Sequence, residues 1–519
     1  MVLLVLVASC DAISDFGDTN TNPTQVSTVP PELEFSMVQL GAAGSQREME
    51  RGNLIYASAV VQHLTRPFWV GNFYGRNDDH ATSFWISAYS GQGVLWRAQI
   101  KNVENLLARL RQMKEEGRRV DNKIAAARIM RVLIFHRVTD MYGDTPYFEA
   151  ARGFLEGEFT PAFDPQSEIY ADMLKELDEA VRQFDPVQPT FADADFLYGG
   201  DILGWKKFAN SLRLRLALRL VKVDPQRARD EAVAAINADG GVMTSNADLA
   251  RVPHQSGPST GPAGVNTNAN SEAFSNPVFV TQTMVEWMRA HGDPRLRMYA
   301  AVITDEEVIT DPDRQLGLPS GWTANVIDTH PSWPGNLVQG YSRINPMLAD
   351  LDDPLIFQTY AEVEFMLAEA AVRGWIPDDA EAHYNAGVRA AMQYLTLYDA
   401  EGAVVTDEEV DTYLAANPFV TGGTVSEKLE QINTQYWAAV FLNGIEAWAN
   451  WRRSGFPLLE PAPVDDPNPH PNNETNGEIP RRLLYPEEEA ILNAANFQEV
   501  LDRQGPNTFM QRIWWDVEE

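Results

Sequence analysis

The 519-residue chain carries 73 acidic against 41 basic side chains, a net charge of −32 at neutral pH. That balance excludes nucleic acid as a natural partner, because phosphate neutralisation needs basic patches. Apolar residues make up 44 %, an ordinary share for a packed globule, and the single cysteine excludes both an internal disulfide and a cysteine-based zinc cluster.

The chain opens MVLLVLVASC, an apolar run far shorter than the ~20 residues that cross a bilayer. No basic residue precedes Arg47, so the run is expected to be the tail of a signal peptide. Its last four residues, Val7 to Cys10, resemble a bacterial lipobox, which makes Cys10 the expected lipidation site. Each buried acyl methylene contributes ~0.8 kcal/mol to such an anchor. Residues 1–10 are therefore read as a signal-peptide remnant with its lipobox. Residues 11–33, polar and broken by Asn-Pro and Pro-Pro, read as a tether, and 34–519 as one helical domain with ligand-facing loops.

Residues 66–96 hold Phe68, Trp69, Phe73, Tyr74, Phe84, Trp85, Tyr89 and Trp96 among Gly, Asn, Asp and Ser. Core helices do not interleave rings with so many turn formers, whereas binding loops do. Trp69, Phe73, Tyr74, Trp85 and Tyr89 are expected to stack on a ligand, with Asn72, Arg76, Asn77 and Asp78 as hydrogen-bonding groups. Other rings of the run are expected to plug the interface with the helical core.

Apolar steps of three and four then predict helices over 100–113 and 169–184. His136, inside the apolar stretch IMRVLIFHRV, is expected in the core, and DMYGDTPY (140–147) is expected to close a helix with a tight turn. The string GPSTG (257–261) matches a nucleophile elbow, but the prolines around it forbid the strand–turn–helix that such a serine needs. Trp322 and Trp333 lie in a Pro/Gly-rich loop, 319–340, and Trp333 joins the expected ligand-binding set. Helices are predicted over 358–374, ending at Gly374, over 378–397, and as one long element over 427–455 ending at Gly455. Long loops are expected at 238–275, 301–355, 400–425 and 457–485. The fold class is all-α, with stacked hairpins of the tetratricopeptide kind.

Several strings together are similar to one family. RVTDMYGDTPYFEA (137–150), GWKKFANSLRLRLALRL (204–220), DPRLRMY (293–299), PLIFQTYAEVEFMLAEAAVRGW (354–375), QYWAAVFLNGIEAWANWRRSGFPLL (435–459) and IPRRLLYPEEEAILNAANF (479–497) resemble hallmark segments of the SusD/RagB family. The resemblance implies a nutrient-binding lipoprotein of a Gram-negative outer membrane, anchored at the cell surface through Cys10. It implies a SusC-like, TonB-dependent β-barrel transporter as partner, an oligosaccharide or an oligopeptide as ligand, and no cofactor. Two rival readings stay open. A surface glycosidase would need two carboxyls across a cleft, and Glu362 and Glu369 instead lie two turns apart on one helix. A tetratricopeptide scaffold would need neither Cys10 nor a nutrient. No zinc-protease histidine pair and no EF-hand spacing is present.

Overall fold

The computed structural model describes residues 29–45, 48–90, 98–255, 267–464 and 474–518. Cys10, Trp96 and the GPSTG string lie outside them. About 54 % of the described residues are helical, in agreement with the all-α expectation.

The long helices are α1 (Pro31–Ala43), α2 (Gln99–Glu115), α3 (Asp121–Tyr142), α4 (Gln166–Gln183), α5 (Ile202–Arg219), α6 (Pro225–Ile236), α7 (Tyr360–Val372), α8 (Ala380–Gln393), α9 (Val425–Ala439), α10 (Gly444–Ser454) and α11 (Ala494–Gln504). Helix α1 begins inside the expected tether, so the last three residues of 11–33 belong to the folded domain. Neighbours in sequence pack as antiparallel pairs, α2 on α3, α5 on α6, α7 on α8 and α9 on α10, and the pairs stack on one another. No single hairpin buries its apolar face alone, and stacking completes each one.

Local signals set the ends. Thr359 and Thr424 form reciprocal capping boxes with Glu362 and Glu427, opening α7 and α9. Gly143, Gly374 and Gly455 follow α3, α7 and α10 with φ of 93°, 69° and 82°, the left-handed region a glycine enters without steric cost. The long element expected over 427–455 is instead two helices, broken at Val440–Asn443. Asn443 caps α10 by accepting from the Glu446 amide. A side chain at Gly444 would come within 2.3 Å of Ser58 Oγ, so α10 crosses the π-helical segment Met49–Ser58 at backbone contact.

Helix α3 is buried nearly all round and forms the axis of the stack. Beside it, charges are buried as matched pairs. Arg215 bonds Glu362 at 2.6 Å, Arg219 bonds Glu446 at 2.7 Å, and Arg453 bonds Glu369 at 2.7 Å. Glu362 and Glu369 thus tie helices together. Lone buried charges would be costly, whereas paired and hydrogen-bonded ones persist.

The expected loop 301–355 contains strands, and 400–425 contains a helix, Asp407–Ala416. Strands β1 (Leu64–Thr65), β3 (Phe279–Val280), β4 (Ala300–Ile303), β5 (Val308–Ile309) and β6 (Arg343–Ile344) form an antiparallel sheet in the order β1-β3-β6-β4-β5. Strands β2 (Ala250–Val252) and β7 (Leu355–Gln358) pair separately.

Candidate functional site

The five-stranded sheet holds two loops side by side. Strand β1 pairs with β3 through Leu64 and Val280, and the chain leaves β1 into residues 66–78. The second loop, 316–342, is closed at its base. Leu318 donates to the Val280 carbonyl at 2.9 Å, and Ser342 donates to the Leu316 carbonyl at 2.7 Å. Within it, Phe279, Leu318, Ile327 and Tyr341 make a small apolar cluster apart from the main core. Trp322 and Trp333 are half-buried against that cluster, so each keeps ring surface open to solvent.

Asn72 joins the two loops. Its Oδ1 accepts from Thr65 Oγ1 at 2.7 Å and from the Gly321 amide at 3.0 Å, and its Nδ2 donates to the Trp322 carbonyl at 2.7 Å. The Ala324 amide adds a bond to the Pro67 carbonyl at 3.1 Å. Phe68, the next residue, is 65 % exposed. An apolar ring left that open, on a segment bonded to the loop that carries two half-covered indoles, marks a contact surface rather than a core.

Polar groups line the same strip. His330 meets the Trp322 ring edge-on at 4.6 Å, and its Nδ1 lies 2.7 Å from Ser332 Oγ, which lies 3.3 Å from the Tyr341 hydroxyl. Burial lowers the His330 pKa and raises that of Tyr341, keeping both neutral hydrogen-bonding groups at neutral pH. Arg66 reaches over the Trp69 ring at 5.8 Å. Aromatic faces with a few convergent neutral polar groups suit a ligand with flat apolar faces and hydroxyl or amide edges.

Most of the rings expected to stack are elsewhere. Trp69, Phe73, Tyr74 and Trp85 are at most 6 % exposed and offer no face to a ligand, which corrects that expectation. Trp85 Nε1 donates to Glu489 at 3.1 Å, and its ring packs against Tyr89, Tyr142, Phe163 and Tyr485. Tyr89 is half-buried, with its hydroxyl donating to the Pro146 carbonyl. Tyr74 is buried in a left-handed backbone conformation, and burial pushes its phenol up to about 12. The run lacks a helical period because it folds as short pieces, Val70–Phe73, Asp78–Ala81 and Ser83–Tyr89, with Phe73, Phe84 and Trp85 turned inward. The expected polar contacts are also used internally. Besides Asn72, Asn77 caps Asp78–Ala81, and Arg76 pairs with Asp78, Glu474 and Glu487.

Of the expected stacking set, Trp333 is the residue placed on the open strip, beside the Trp322 noted in the same loop. Phe68, His330 and Tyr341 were not in that set. The signal for the indoles was the alternation of Trp with Pro and Gly; Phe68 stood in the aromatic run 66–96 but was not among the rings chosen from it.

Among the described residues no helix is long and apolar enough to cross a membrane. Nor, among them, is any group of three or more His, Cys, Asp or Glu placed to hold a metal ion.

Comparison with known proteins gives three findings. A SusD-like family model, described as starch-binding and associating with the outer membrane, matches residues 24–486. Among curated proteins no match was found. Among solved structures, a chitin-binding protein superposes with a TM-score of 0.79 at 31 % identity, covering 94 % of this chain and 100 % of its own. A SusD-like protein labelled Bacteroidetes AC2a gives 0.80 at 31 %, over the same shares. A chitin-binding SusD homologue from Flavobacterium johnsoniae gives 0.72 at 25 %, covering 94 % of this chain and 98 % of its own.

Proposed function

The chain belongs to the SusD-like family, and we propose that it is a cell-surface glycan-binding lipoprotein taking β-linked N-acetylglucosamine oligomers of the chitin type. The observation that carries the reading is the open strip of Phe68, Trp322 and Trp333 with its neutral polar groups. Two of the relatives above are chitin-binding proteins, which favours an amino-sugar polymer over a peptide. Pyranose rings present flat C–H faces to indoles, while acetamido groups offer one donor and one acceptor to His330, Ser332 and Tyr341.

The magnitudes are modest. Covering a further ~80 Å² on each of three rings gives about 6 kcal/mol at ~25 cal/mol per Å². Association entropy offsets much of that gain, which puts affinity in the micromolar to millimolar range. Such binding suits capture and release. In the same reading Cys10 carries the acyl anchor, and a TonB-dependent barrel takes the captured oligomer. No bond of the glycan is cut.

Affinity electrophoresis through gels carrying glycol chitin, starch or a β-glucan tests the ligand class. Retardation by glycol chitin, lost in Trp333→Ala, is expected, while equal mobility in all gels overturns the reading. Cys10→Ser should release the protein from the membrane fraction, and retention there refutes the anchor.

A further inference from the structure

Where α3, α5, α7, α9 and α10 meet lies a cavity of 40 Å³, bordered by His136, Arg137, Arg215, Asn268, Glu362 and Glu446 among others. It is far below the ~300–1,000 Å³ of a small-molecule pocket and about three times the ~10–15 Å³ that one water needs. No sugar ring fits, but a few waters do.

Among the described residues, three polar atoms at this cavity make no hydrogen bond to protein. They are both ring nitrogens of His136, a residue 3 % exposed, and Nε of Arg215, which faces Glu446 Oε2 at 3.4 Å in an ion pair but makes no aligned hydrogen bond to it. The surrounding carboxylates already accept hydrogen bonds from other donors. Glu362 accepts from Arg215 Nη2, Glu446 accepts from Arg219, and Asp140 accepts from Trp515 Nε1 at 3.0 Å. Arg137, also on the cavity wall, donates to the Ala42 carbonyl at 2.7 Å.

Chemistry then selects the occupant. Burial first, and then the cations Arg215, Arg219 and Arg137, disfavour an imidazolium at His136. A neutral imidazole carries one N–H and one bare nitrogen. The N–H and Arg215 Nε each call for an acceptor, and the bare nitrogen calls for a donor. A halide accepts and cannot donate, and a metal ion does neither for an N–H. Water does both.

We propose that this cavity is a structural hydration site, in which about two or three ordered waters bridge His136 to Arg215 Nε and complete the hydrogen bonding of the buried ion-pair layer. The site stands apart from the glycan strip, and neither depends on the other.

Crystals of the full chain grown in sodium bromide test it. Water peaks within ~3.2 Å of the His136 nitrogens and Arg215 Nε, with no anomalous bromide signal between them, are expected. A bromide peak, or a cavity without ordered density, overturns the proposal. Independently, ¹⁵N spectra of the His136 side chain should show a neutral ring with both nitrogens hydrogen-bonded from pH 5 to 8. An imidazolium in that range overturns the proposal, since two N–H donors would no longer need a donating partner. Replacement by His136→Phe should remove the water peaks beside the ring while the peak at Arg215 Nε remains. Persistence of all of them would also overturn it.

Discussion

Glu369 offers a direct test of how the helical stack is held. Its carboxylate is 1 % exposed and accepts from Arg453 at 2.7 and 2.9 Å and from Arg373 at 2.8 Å. Burial alone would raise its pKa, but Arg453 and then Arg373 outweigh burial and hold it at about 2, against 4.5 for a free glutamate. At ~1.4 kcal/mol per tenfold change in proton affinity, the ionised form contributes about 3 kcal/mol at pH 7. Because the folded value lies below the unfolded one, that stability is present above pH 4.5 and is lost as pH falls toward 2. At pH 3 about 1 kcal/mol remains. Glu369→Gln removes the charge and leaves the shape. Urea unfolding followed by tryptophan fluorescence should show the variant weaker by about 3 kcal/mol at pH 7, with the gap closing to about 1 kcal/mol at pH 3. A gap below about 1 kcal/mol at pH 7, or one that does not shrink on acidification, refutes the reasoning.

Three further outcomes follow from particular contacts. Asn72→Ala removes the bonds to the Gly321 amide and the Trp322 carbonyl, at a cost of about 1–3 kcal/mol. Hydrogen exchange across 316–342 should quicken while the helices stay protected; unchanged exchange there would deny Asn72 its joining role. Gly71→Ala would set a methyl carbon 1.7 Å from the Ile55 carbonyl oxygen, so the variant should fail to fold or lose most of its stability, as read by its thermal midpoint. At His383, the hydrogen bond to Glu364 raises the pKa against burial, with Asp378 adding to the rise. The resulting stability is complete below the unfolded value of 6.5 and is lost as pH rises through the folded value. His383→Gln should therefore flatten the decline of the thermal midpoint between pH 6 and 9, and an unaltered slope would contradict the assignment.

Much of the scaffold was legible in the sequence because helical spacing, capping residues and terminal glycines are local signals. The ends at Gly374 and Gly455 and the turn at Gly143 needed nothing beyond their neighbours. The break between α9 and α10 did not show, nor did the reason for a glycine at 444, where Ser58, far away in sequence, occupies the space a side chain would take. The binding strip was legible only in part, for a similar reason. Trp85 and Trp333 sit in equally polar, glycine-containing surroundings, and what separates them is the presence of Tyr142, Phe163 and Tyr485 around the first. Asn72 reads as a ligand group until its three bonds to Thr65, Gly321 and Trp322 are placed. Local composition names residues able to meet a ligand, and only the tertiary contacts decide which ones are already occupied.

The claim that this chain grips an amino-sugar polymer on an aromatic strip is tested most directly by calorimetric titration with the hexamer of N-acetylglucosamine. The account predicts saturable heat with a dissociation constant between about 1 μM and 1 mM. It also predicts its disappearance in Trp322→Ala/Trp333→Ala while the circular dichroism of the helices is unchanged. Absence of binding by the native chain, or undiminished binding by the double variant, would contradict it.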